Sequence, residues 1–133
     1  MEFKNKNEIN YNNINYIQYF KEVECSSKNG LCRLDEDRIL VGRDTLKIIS
    51  ILNNKIIKEI NIPFYCLGIR FIEDKGIFLI GGESEDIRIY RNDNYECIQI
   101  IQNSHEDEIN GFVELKDGSI LSYSDDKKIK IWN

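Results

Sequence analysis

The 133-residue chain contains no alanine and a single proline, Pro63. Without alanine it lacks the strongest helix former. Its 24 isoleucines suit a pleated, packed surface instead, which favours an all-β fold from the outset. Long apolar runs are also missing. The longest aliphatic or aromatic stretch is the four residues 77–80, far short of the roughly 20 that a membrane-spanning helix needs. The opening MEFKNKNEIN places no apolar stretch behind a basic end, so no secretory signal is seen and a cytoplasmic or nuclear setting is expected. Blocks of positive charge are absent too: Lys and Arg never run longer than the pair Lys127 and Lys128, and the net charge is −5. Affinity for nucleic acid comes from releasing counterions onto basic side chains, so this balance argues against DNA or RNA.

Four cysteines are present, Cys25, Cys32, Cys66 and Cys97, but no C-x-x-C pair, and the one histidine, His105, lies in a separate segment. Zinc-ligand spacing is therefore missing, and no metal or other cofactor is expected. With no secretory signal, disulfides are not expected either, and the thiols read as small buried hydrophobes in strands.

What the sequence does contain is a repeat of about forty residues. TLKII (45–49), DIRIY (86–90) and KIKIW (128–132) each alternate an aliphatic residue with a polar one and end on a large apolar residue, as a half-buried strand does. Leu46, Ile87 and Ile129 hold corresponding places. Upstream of each lies a denser apolar segment, RILVG (38–42), GIFLIGG (76–82) and SILSYS (119–124), preceded by turn residues DED, EDK and KDG. Further upstream come LCRL (31–34), LGIRFI (67–72) and INGFVEL (109–115). A fourth kind of segment recurs as NYIQYF (15–20), KIIKEI (55–60) and ECIQII (96–101). The unit is four strands, a-b-c-d, and a period of about 40 with four strands per unit marks a β-propeller blade. Such a unit has two apolar faces and must stack on neighbours to bury them.

The last unit, SHEDEINGFVELKDGSILSYSDDKKIKIWN (104–133), resembles a WD40 repeat almost from end to end, and by pattern the resemblance extends over 15–133. In that family a buried tetrad joins a His before strand a, a Ser of strand b, the Asp of the b–c turn and the Trp of strand c. The resemblance selects His105, Ser122, Asp126 and Trp132, with Asn133 where the family usually has Asp. Carboxylate would accept from imidazole, imidazole from hydroxyl, and hydroxyl from indole N–H. The second unit keeps Ile80, Ser84 and Tyr90 at the matching places and has no His; the first has Ile39 and Ile49. The expected architecture is a partial, three-blade propeller of WD40-like antiparallel sheets. It comprises strand d at 15–20 and blades at 30–60, 66–101 and 104–133, behind a flexible Asn-rich leader (1–14).

Three blades are fewer than the four to eight that usually close a ring. Three solutions follow: a homodimer forming a six-blade ring, with each copy lending its first strand; a fragment of a longer propeller protein; or a partner or the leader capping the ends. Charge is uneven as well. Residues 1–66 carry net +1 and 67–133 net −6. On the rim formed by d–a and b–c loops the negative charge gathers at Glu83, Glu85, Asp86, Glu106, Asp107 and Glu108, a candidate surface for a basic peptide.

The sequence lacks a nucleophile elbow, a zincin motif and a phosphate-cradling glycine loop, and the tetrad claims His105, so no intrinsic catalysis is expected. The resemblance implies a protein-interaction scaffold or adaptor. The alternative is a regulatory or substrate-recognition part of a larger protein, such as a ubiquitin-ligase or kinase-associated subunit, whose activity lies elsewhere. Binding of single-stranded RNA through Tyr and Phe lacks a basic groove to accompany the aromatics.

Overall fold

The computed structural model describes Asn12, residues 17–23, Cys25 and residues 29–133. The expected leader (1–14) lies outside these residues apart from Asn12. Among the described residues, eleven strands form three antiparallel sheets. Sheet 1 has the order β1 (Gly30–Arg33), β2 (Arg38–Gly42), β3 (Thr45–Ser50), β4 (Lys55–Asn61). Sheet 2 repeats it with β5 (Cys66–Ile72), β6 (Ile77–Gly82), β7 (Ile87–Arg91), β8 (Cys97–Ile101). Sheet 3 has only β9 (Ile109–Glu114), β10 (Ile120–Ser124) and β11 (Ile129–Trp132). Each sheet is a meander, so neighbours in sequence pair. The sheets are not closed into a ring.

The pairings make the three units equivalent position by position. Ile39 pairs with Ile49, Phe78 with Tyr90, and Ile120 with Trp132. Leu46, Ile87 and Ile129 stand three residues before the last members of these pairs, as the forty-residue spacing predicted. Two corrections follow. Residues 17–20 belong to no strand, and Ile17, Tyr19 and Phe20 are more than four-fifths exposed. A strand exists only against an edge that hydrogen-bonds it, and these residues pair with no described strand, so sheet 3 has three strands among the described residues. Second, the residue matching Ser122 in the first unit is Val41 rather than Ile39, because the register runs two residues further along β2.

Two apolar layers hold the sheets together. One face of sheet 1 (Leu40, Leu46, Ile48) meets Phe78, Ile80 and Tyr90 of sheet 2, with Cys66 between them. The other face of sheet 2 (Leu79, Ile87, Ile89) meets Ile109, Phe112 and Ile120 of sheet 3. Each fully buried side chain of this size is worth about 1.5–3 kcal/mol, so stacking supplies stability that no single sheet could. Phe78 and Tyr90 stack within the first layer, ring centroids 5.2 Å apart.

Glycines set how closely the sheets approach. A Cβ on Gly42 would meet Cys66, and one on Gly81 would meet Ile109, the equivalent residue one sheet on. A Cβ on Gly68 would lie 2.6 Å from the Asn110 carbonyl oxygen and the Gly111 Cα. In sheet 3 the place of Gly42 and Gly81 is taken by Tyr123, whose ring lies where a Cβ on Gly111 would go. Tyr123 is part of an outward face with Val113, Ile129 and Ile131 that no sheet covers among the described residues, and all four are exposed large hydrophobics.

Of the cysteines, Cys66 is fully buried, Cys25 and Cys32 are half-buried and Cys97 is exposed, and no disulfide joins any of them among the described residues. The expectation of buried strand thiols therefore fails for Cys97, which sits on the solvent side of a fourth strand, and for Cys25, which lies outside any strand. Burial pushes the Cys66 thiol up to about 12, leaving it an inert packing group.

Candidate functional site: the polar tetrad and the acidic rim

The tetrad spans the third unit. His105 sits in the loop before β9, Ser122 in mid-β10, Asp126 in the β10–β11 turn and Trp132 at the end of β11. The His105 ring bonds at both nitrogens, with Nδ1 2.8 Å from Asp126 Oδ2 and Nε2 2.6 Å from Ser122 Oγ. Trp132 Nε1 donates to the same hydroxyl at 2.8 Å. One assignment satisfies every atom: neutral imidazole donates from Nδ1 to the carboxylate, the Ser122 hydroxyl donates to Nε2, and the indole donates to the hydroxyl. The side chains of His105 and Asp126 are 0% and 3% exposed, and Ser122 is fully buried.

Asp126 also ties two turns. Its oxygens accept from the amides of Glu106 (3.0 Å) and Lys128 (2.9 Å). Burial works against the charge on Asp126, but these amides and the imidazole outweigh it and hold the carboxyl down at about 2. Every polar atom of the chain from Asp126 to Trp132 is spent on a neighbour, so the tetrad is a clamp rather than reacting groups.

Sheet 2 shows the same clamp built from hydrocarbon. Ile80 and Tyr90 match Ser122 and Trp132 by register, and the shared bulge in the a–b pairing makes Cys66 match Ile109. Counting back four residues, Ile62 holds the place of His105, and it packs on the first apolar layer with Phe64. Replacing all partners of a buried polar network together leaves no group unsatisfied. Arg88, at the place of Lys130, stands 5.9 Å from the centre of the Phe64 ring, and its buried Nε has no hydrogen-bond partner among the described residues.

Five of the six rim carboxylates come together. Glu83 and Glu85 of the β6–β7 turn face Glu106, Asp107 and Glu108 of the β8–β9 loop across a cleft of about 240 Å³. Asp86 does not join them; its Oδ1 accepts from the Asn103 amide at 2.9 Å and fixes the loop after β8. Partial burial first, and then Glu83, Asp125 and Asp107 nearby, push the Glu108 carboxyl upward. The Lys128 ammonium stands 3.9 Å from a Glu106 carboxylate oxygen. A second cleft, of about 350 Å³, opens on the same rim between sheets 1 and 2, lined by Asp44, Ile62, Pro63, Phe64, Tyr65 and Glu83. It escaped the sequence reading because its walls come from three segments far apart in the chain; Pro63 among apolar loop residues was its one visible signal. Another cross-sheet link lies on the opposite rim. Arg38 bonds Asp35 (2.7 Å) and reaches the Asn92 carbonyl and the Tyr95 hydroxyl of sheet 2. The Arg38 side chain is the leading cause that holds the Asp35 carboxyl down at about 2. Among the described residues no group of three or more His, Cys, Asp or Glu is arranged to hold a metal ion, and no helix is long and apolar enough to cross a membrane.

Four-stranded meanders stacked by one recurring register, with a His–Ser–Asp–Trp chain in the last, decide the architecture. The fold is that of WD40 propeller blades. Among solved structures the chain is similar to the RRP9 WD40 repeats, with a TM-score of 0.73 and 18% identity over 80% of this chain and 35% of that one. U3-55K matches equally well, with a TM-score of 0.73, 18% identity, and 80% and 36% covered. The WD40 β-propeller domain of Doa1 follows with 0.69, 17% identity, and 77% and 35% covered. The chain thus spans about a third of the length of these WD40 structures. No family model matches it, and no curated protein matches it in sequence. WD40 propellers are in general non-catalytic folds that bind other proteins.

Proposed function

We propose that the chain is a non-catalytic interaction scaffold whose acidic rim takes a Lys- or Arg-containing segment of another protein. The observation that carries this reading is the cleft between sheets 2 and 3, where five carboxylates converge and, among the described residues, Lys128 is the one cation within 4 Å of any of them. Carboxylates on fixed turns attract a cationic side chain without first having to be ordered, and they steer its approach. The scaffold would act in the cytoplasm or nucleus, where free thiols stay reduced.

The test is binding of a fluorescent Lys/Arg-rich decapeptide followed by anisotropy. Reversing Glu85 and Glu106 to Lys should weaken it about tenfold or more, as should raising the salt from about 0.05 to about 0.5 M. Unchanged affinity in the double variant removes the rim from the proposal.

A second reading, that the three sheets work within a larger ring, is favoured by the apolar face bearing Ile129 and Ile131, which no described sheet covers. The ring could be completed by a second copy, making six blades, or by further blades of a longer protein in which this part recognises a substrate or regulator.

A further inference from the structure

The two clefts of the acidic rim share a wall. Glu83, at the start of the β6–β7 turn, lines the cleft between sheets 1 and 2 and also the acidic cleft between sheets 2 and 3. Their chemistry differs. Four of the six residues lining the first are apolar or aromatic, Ile62, Pro63, Phe64 and Tyr65, whereas five carboxylates surround the second.

The backbone holds the first cleft in shape. The Tyr65 carbonyl accepts from the Glu83 amide at 2.8 Å, and the Cys66 amide donates to the Arg43 carbonyl at 2.5 Å, so the loop 62–65 is tied to the turns on both sides of it. A Cβ on Gly82 would run into the same Tyr65 carbonyl, a close approach that only glycine allows. Ile62 and Phe64 pack inward on the first apolar layer, while Pro63 is exposed and Tyr65 is 48% exposed. A preformed apolar cleft of about 350 Å³ takes an apolar side chain without first having to order itself.

Charge assigns the clefts to different side chains. Arg43 stands 5.9 Å from the centre of the Tyr65 ring, and Arg88 5.9 Å from that of Phe64. Both aromatic walls of the first cleft already carry a cation of the chain itself, which a second cation would meet with repulsion. At the second cleft, among the described residues, Lys128 is the one cation within 4 Å of a carboxylate. From this contrast we infer that the segment bound on the rim is bipartite. An apolar side chain of leucine size enters the cleft of Ile62, Pro63, Phe64 and Tyr65, and a Lys or Arg two residues away enters the acidic cleft, with the peptide passing over Glu83. An extended peptide presents alternate residues on one side, about 7 Å apart, which suits clefts separated by a single side chain. The inference rests on the reading of the rim as a peptide site and adds an apolar requirement to it.

The experiment titrates the full chain, by fluorescence anisotropy, with a labelled serine–glycine peptide carrying a central leucine and a lysine two residues to either side, so that both chain directions are served. Replacing the leucine with serine should weaken binding about tenfold. Moving both lysines next to the leucine turns them to the other side and should cost as much. On the Tyr65→Ala chain the leucine and serine peptides should bind alike, and on the Glu85→Lys/Glu106→Lys chain both should be lost. As a measurement that needs no variant, the leucine methyl protons should show nuclear Overhauser contacts to the Tyr65 and Phe64 rings. Equal binding of the two peptides that is still lost on charge reversal overturns the apolar cleft and leaves the rim reading standing. A leucine preference that survives Tyr65→Ala, or that comes without contacts to the two rings, places the side chain elsewhere and overturns the assignment too. Binding indifferent to the charge reversal overturns both readings.

Discussion

His105 is the only histidine, and both of its ring nitrogens are committed within hydrogen-bonding distance. Ser122 is the link through which the other members connect. Replacing it with Ala leaves His105 Nε2 and the Trp132 indole without partners in a buried site, and should cost about 1–3 kcal/mol in urea unfolding. The Asp126 carboxyl, held at about 2 against an ordinary 3.8, makes folding depend on pH with a definite sign. The folded state binds this proton less readily than the unfolded state does. Its contribution is therefore complete above roughly pH 4 and is lost as pH falls through about 2. An Asp126→Asn variant should show a flatter acid limb in unfolding midpoints measured from pH 6 to pH 2, and an unchanged slope would mean that the carboxylate is not the titrating clamp.

At the scale of the element, two repeats share a hydrophobic scaffold but differ in what fills one site. The polar version was legible because the last unit resembles a WD40 repeat, and that resemblance selects His105, Ser122, Asp126 and Trp132. The apolar version was not: Ile62 differs in no way from the isoleucines around it until the register places it. Strand positions were legible from period-two alternation, with ends off by about one residue where turns take over. Of the strand expected at 15–20, the described residues 17–20 form none, because alternation records suitability for a sheet, whereas a strand also needs a paired edge. Junctions between sheets depend on glycines no pattern singles out. Gly68→Ala would drive a methyl into the backbone of Asn110 and Gly111, which cannot yield as a flexible side chain does. The expected loss is about 1–3 kcal/mol, seen as a lower urea midpoint with an unchanged slope.

For the whole molecule, charge and closure separate into different regions. The acidity of residues 67–133 concentrates on one rim, in the cleft between sheets 2 and 3, so salt should govern partner binding there. Closure is instead a matter of the β11 edge and uncovered apolar side chains, which salt should hardly affect. Sedimentation and anisotropy on the same samples across ionic strength therefore read two separate properties. The rim's composition was legible as a run of acidic turns, but its pairing across sheets was not, since Glu83 and Glu106 are distant in sequence and meet only through the stacking.

Tyr123 breaks the small-residue rule that Gly42 and Gly81 obey, and so gives the arc two dissimilar ends. If a glycine stood there, the last sheet would offer the same socket as the two before it. Any copy could then lay its leading sheet into the trailing sheet of another, a head-to-tail contact that repeats without limit unless the rotation happens to close. With that socket filled by its own ring, sheet 3 must receive any further sheet, from a second copy or from the same polypeptide, around an aromatic side chain where Gly42 and Gly81 leave room.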